Sequence, residues 1–173
     1  MCNPFIIDNT ITNKKIFKSI SVDEEVSFDG GIMITETDTK GIITYANRKF
    51  REMTGFSKRE LIGAPHKISR HPDMPKGLFK AMWKTISAKK IWRGYVKSLR
   101  KDGKFYWALL YVQPKIDENN EIVGYVASRK IAYPGALKEV EETYSKLFGI
   151  EHIDNEFFMS GELYHGEQLA KYN

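Results

Sequence analysis

Between residues 91 and 131 the chain is constrained to build an antiparallel sheet. Three runs rich in β-branched and aromatic residues, Ile91–Leu99, Phe105–Gln113 and Ile122–Ile131, are parted by two turn signals, Lys101-Asp102-Gly103-Lys104 and Asp117-Glu118-Asn119-Asn120. Asp-Gly suits the left-handed backbone of a tight hairpin, and alternation in the second run marks a half-buried strand. Links this short join only antiparallel neighbours. Pro114 is expected to end the second run, because proline cannot donate to a ladder.

The upstream sequence adds a second hairpin. Gly30-Gly31 precedes a β-branched run from Ile32 to Thr37, and Asp38-Thr39-Lys40-Gly41 turns it into Ile42–Tyr45. Short helical pieces follow. Phe50 and Met53 share a face, with Gly55 placed as a C-terminal cap. Ser57-Lys58-Arg59-Glu60 has the form of a capping box. Asp73 as cap and Pro75 in the first turn open the strongest helix, whose apolar stripe is Leu78, Phe79, Met82, Trp83 and Ile86. After the sheet, Leu137, Val140, Tyr144, Leu147 and Phe148 mark an amphipathic helix stopped by Gly149.

These elements define an α+β fold, a five-stranded antiparallel sheet with helices on one face and a pocket between the layers. Residues 1–28 read as an N-terminal arm or cap, 29–133 as the sensor domain, 134–149 as a terminal amphipathic helix and 150–173 as a polar tail. With 173 residues, one domain with its own core is expected. No run reaches the ~20 apolar residues of a membrane span, and the start lacks the pattern of a secretory signal, so the expected address is the cytoplasm. The single cysteine, Cys2, provides neither an internal disulfide nor a zinc site. The net charge of +5 is spread among acids, as in Lys58-Arg59-Glu60, so nucleic acid is not the expected partner. No nucleophile–base arrangement, metal-ligand spacing or phosphate loop stands out, so a binding or sensing role is expected rather than an enzyme.

The segment Asp38-Thr39-Lys40-Gly41-Ile42-Ile43-Thr44-Tyr45-Ala46-Asn47, with Thr54-Gly55-Phe56-Ser57 and Glu60-Leu61-Ile62-Gly63, resembles a PAS domain. A narrower likeness follows. Arg70-His71-Pro72-Asp73-Met74-Pro75, Met82-Trp83, Ile91-Trp92-Arg93-Gly94, Lys101-Asp102-Gly103 and Tyr106-Trp107 resemble the sensory PAS domain of aerotaxis receptors, the match running over about residues 30–133. The resemblance implies bound FAD that follows respiratory electron flow and an output to the flagellar motor. Aerotaxis receptors continue into a membrane span and a signalling coiled coil, so the expected partner is a separate membrane-bound chemoreceptor protein. That partner would hold this chain at the inner membrane from the cytoplasmic side. PAS domains commonly pair or dock through the sheet's outer face. That face and the terminal helix are therefore the two expected output surfaces, and a homodimer is compatible with either.

Within that resemblance the cofactor contacts are expected at Asn47, Arg70, His71, Phe79, Met82, Trp83, Ser98 and Arg129. Arg70 and His71 are cationic groups suited to a pyrophosphate or flavin rim, set against a structural role for a lone histidine. Asn47 follows the second strand, where a turn or cap role competes with a hydrogen bond to cofactor. Trp83 offers a planar surface as well as core. Arg129 falls on the last strand, where a guanidinium would stabilise negative charge on a reduced flavin; the bland alternative is a solvated sheet-edge arginine. Ser98 stands where flavin-binding relatives tend to place Asn, and a single hydroxyl offers less than an amide. A cofactor-free adaptor and a haem sensor with His71 as axial ligand are the competing readings.

Overall fold

The computed structural model of the chain describes residues 5–149 and two short strands beyond them. The elements run β1 (Phe5–Asp8), β2 (Lys15–Lys18), β3 (Met33–Thr37), β4 (Ile43–Ala46), α1 (Arg48–Thr54), α2 (Lys58–Leu61), a 3-10 turn over His66–Ser69, α3 (Lys76–Ser87), β5 (Trp92–Leu99), β6 (Phe105–Ile116), β7 (Ile122–Ile131), α4 (Pro134–Leu147), β8 (Glu156–Met159) and β9 (Glu162–His165). The five-stranded sheet has the order β4-β3-β7-β6-β5, antiparallel throughout, with β7 at its centre.

Local signals explain most boundaries. Asn47 caps α1, and Gly55 ends it in the left-handed region at φ 75°. The Ser57–Glu60 capping box is formed in both directions. The β3–β4 turn is fastened by Asp38, whose carboxylate accepts from the Lys40 and Ile42 amides at 2.9 Å.

Two boundaries differ from expectation. Pro114 does not end β6, which continues to Ile116 opposite β7. The last β6 residue paired with β5 is Val112, so the proline's missing N–H removes no bond from that ladder. Asp73 does not cap α3. The helix starts at Lys76 after Pro75 with no side-chain cap, while the Asp73 carboxylate is drawn 3.0 Å from Lys97 on β5.

The N-terminal arm is a hairpin. Its connecting loop is anchored by Asn9, which is 1% exposed and donates to the carbonyls of Ile62 and Glu60 at 2.7 and 3.1 Å. Those carbonyls belong to the end of α2, where no intrahelical partner remains for them. Gly63 permits the approach: at φ 93°, a Cβ there would lie 2.5 Å from the Asn9 side-chain oxygen.

Helices cover both faces of the sheet, not one. The inner face meets α1, α2 and α3. On the outer face α4 buries Ala136, Val140 and Tyr144; the Tyr144 and Trp107 rings are 6.3 Å apart, and the Tyr144 hydroxyl donates to the Tyr95 carbonyl at 2.7 Å. The two expected output surfaces therefore meet at Tyr144. In 150–173, β8 and β9 pair as a hairpin. Cys2 and the side chains of Phe157, Phe158, Leu163 and Tyr164 lie outside the described residues. Among the described residues, no helix is long and apolar enough to cross a membrane.

Candidate functional site

Strand alternation delivers one row of side chains to the inner face. Thr35 stands opposite Ala127, Thr37 opposite Tyr125, and Leu110 opposite Arg129. Above them, α3 presents Phe79, Met82, Trp83 and Ile86, and the 65–70 segment closes the side. They enclose a cavity of about 230 Å³. Its wall combines apolar and aromatic groups with Lys40, Lys67, Arg70, Lys97 and Arg129; among the described residues it contains no carboxylate.

Arg129 is the electrostatic centre. It is only 2% exposed, on the central strand, and donates to Thr35 Oγ1 at 3.2 Å and to His66 Nε2 at 2.8 Å. Its guanidinium also lies 4.9 Å from the Phe50 ring centroid. The solvated-edge reading of this arginine is thereby corrected. A guanidinium cannot accept, so His66 Nε2 must, which puts the ring proton on Nδ1. Burial and then Arg129's charge push His66 down to about 3, so the ring is neutral at physiological pH. Burial lowers Arg129 itself to about 10, which leaves it cationic. A positive charge fixed in a low-dielectric wall with no carboxylate beside it is an anion-attracting device.

Trp83 meets Tyr125 edge to face at 5.3 Å, and both rings line the cavity. The Arg70 guanidinium stacks 3.8 Å from the Phe79 centroid. Ser98 lines the cavity, and the hydroxyl of the neighbouring buried phenol Tyr106 has no hydrogen-bond partner among the described residues.

Six of the eight expected contacts, Arg70, Phe79, Met82, Trp83, Ser98 and Arg129, line this one cavity. The other two do not. Asn47 spends its side chain on structure: Oδ1 accepts from Phe50 and Ile34 amides at 3.0 and 3.1 Å, and Nδ2 donates to the Ile32 carbonyl. His71 faces away from the cavity. Its Nδ1 accepts from the Asp73 amide at 3.1 Å and its Nε2 is 2.8 Å from Ser21 Oγ, so neither nitrogen is available as the axial ligand of a haem in this cavity. Burial and then Lys97's charge hold His71 at about 4. Sequence reasoning missed His66, Thr35 and Tyr125. Period-two alternation from Arg129 points to Tyr125, but nothing local distinguishes His66, which is brought in by the turn after Pro65.

A cavity held between an antiparallel sheet and a run of short helices, with a buried cation in its floor, is the architecture of a sensory domain. The chain belongs to the PAS family: residues 43–129 match the PAS fold. It is 38% identical over 119 residues to the aerotaxis receptor of Escherichia coli strain K12, a match that covers 69% of this chain but 23% of the receptor. The crystal structure of a PAS domain from Colwellia psychrerythraea is 26% identical, with a TM-score of 0.54 over 58% of this chain and 86% of that one. The dark structure of the blue-light photoreceptor Aureochrome1 LOV has a TM-score of 0.58 at 24% identity, covering 66% of this chain and 86% of its own.

Proposed function

We propose that the chain is a redox sensor that holds the ring system of FAD in this cavity and serves energy taxis through a separate membrane chemoreceptor. The observation that carries the reading is Arg129, a buried cation in a cavity of aromatic, apolar and basic side chains where no carboxylate among the described residues neutralises it. Similarity to an aerotaxis receptor supports the same role.

When bound, FAD supplies a redox centre whose charge and hydrogen bonding change on reduction. Trp83, Phe79 and Met82 would bury its planar surface, and Arg129 would favour the more anionic state. His66, a neutral acceptor, keeps the guanidinium aimed. Arg129 lies on β7, which runs through Ala132 and Tyr133 straight into α4, so a changed bonding pattern at Arg129 has a short path to the outer layer. The sheet face left open by α4, with Tyr45 exposed, is the surface offered to the partner.

The absorption spectrum of freshly purified protein is the direct test. Flavin bands are expected; a Soret band would replace FAD with haem, and a colourless protein would favour an adaptor. A deletion strain should lose migration towards favourable electron acceptors but still swim, and normal energy taxis in that strain would defeat the taxis role. Ser98→Asn should tighten FAD by about 1 kcal/mol, roughly fivefold, by restoring a two-way amide contact. Unchanged or weaker binding in a titration would show that Ser98 does not face the ring.

A further inference from the structure

On the far side of Arg70 lies a second cavity, of about 730 Å³, between the N-terminal hairpin, the segment around residues 67–76, α3 and the end of α4. Five cationic side chains, Lys18, Lys67, Arg70, Lys76 and Lys80, line it, and among the described residues no carboxylate does. Elsewhere on the surface many lysines hold an acid, as Lys15 does Asp8, Lys49 does Asp29 and Lys101 does Glu60. Lys67, Lys76 and Lys80 have no such carboxylate among the described residues, and Arg70 Nε is buried without a hydrogen-bond partner. Lys18 is buried and donates to the Arg70 carbonyl at 3.2 Å. Burial and then Arg70's charge hold its ammonium down to about 8, so two cations are kept close together. Helix α3 also begins here, at Lys76, with no side-chain cap on its positive end. Part of the wall is apolar: Ile6, Ile7 and Met74, with the Phe148 ring 58% exposed.

We propose that this second cavity binds a nucleoside diphosphate group, its phosphates among the lysines and its base against the apolar wall. A monovalent anion would leave most of the charge of Lys67, Arg70, Lys76 and Lys80 uncompensated, whereas a diphosphate engages several at once. A volume of about 730 Å³ lies within the range of about 300–1,000 Å³ for small-molecule pockets, and an aromatic ring at its edge suits a planar base. Lys67 and Arg70 belong to both cavities, so the two sites adjoin. The group has two sources: a free nucleotide, or the distal half of a dinucleotide whose ring system occupies the first cavity. The second source rests on the flavin reading above; the first does not.

Calorimetric titration of the full chain, stripped of any flavin, with ADP and with inorganic pyrophosphate tests the proposal. ADP should bind at least tenfold more tightly than pyrophosphate, and the exposed double variant Lys76→Glu, Lys80→Glu should lose at least tenfold in ADP affinity with its melting curve intact. No ADP binding, equal binding of pyrophosphate, or an unaffected double variant would each overturn it. Repeating the titration after loading with FAD separates the sources. Loss of ADP binding assigns the site to the dinucleotide, and retention assigns it to a free nucleotide. A chain that takes up no flavin still answers the ADP titration, so failure of the flavin reading is distinguished from failure of this one.

Discussion

Trp83→Ala should strip flavin from the protein while leaving it folded. The indole is partly buried, packs edge to face on Tyr125 and lies so close to the β3–β4 turn that a Cβ on Gly41 would sit 3.2 Å from its ring. It is thus a wall of the cavity held from two sides, not a fully buried core residue. Removing it takes away a large planar contact from the wall, and the affinity should fall about 100-fold, close to 3 kcal/mol. Stability should fall less, by about 1–2 kcal/mol, because the site already meets solvent. Trp83→Phe should keep most of the flavin. Flavin content per folded protein, measured by absorbance after gel filtration, decides the matter; full occupancy in Trp83→Ala would remove Trp83 from the site.

Mild acid should weaken the fold. Burial, with Arg129's charge at His66 and Lys97's at His71, lowers the two rings from the ordinary 6.5 to about 3 and about 4. Between those values and 6.5 the unfolded chain binds protons that the folded chain refuses, so stability is full above about pH 6.5 and declines as the pH falls. At about 1.4 kcal/mol per pH unit for each such proton, the loss by pH 4 is on the order of 3 kcal/mol or more. Urea midpoints measured from pH 7.5 to 4 should drift down, and His66→Gln, which keeps an acceptor for Arg129, should flatten the drift. A pH-independent midpoint would mean that both rings charge freely in the folded protein.

What could be read from the sequence was what neighbouring residues decide. The capping box at Ser57, the Gly55 cap, the hairpin turns and the α3 stripe all depend on a few adjacent side chains, and all formed. Asp73 shows the limit of that reasoning. Its type and position suit a cap, but Lys97, distant in sequence, offers the stronger partner. Asn9 and His66 were invisible for the same reason, because each gains its role from groups some fifty or more residues away. Asn47 and His71 were placed in the right neighbourhood and given the wrong task, since proximity to a cavity does not say which way a ring or amide turns. The cover that α4 provides was not legible either. A stripe announces that it will be buried, but not against what.

The hydroxyl of Tyr144 on the Tyr95 carbonyl gives α4 a latch. Ala136, Val140 and Tyr144, spaced one turn apart, form its buried stripe, and Leu137 and Leu147 pack beside it. Lifting the helix part-way would uncover an apolar stripe and strand a phenol without restoring either to water fully. A layer that costs this much to half-open would favour shut or open over anything in between, and a signal passed through it would then read out as a count of switched molecules, not as a graded deformation of each one.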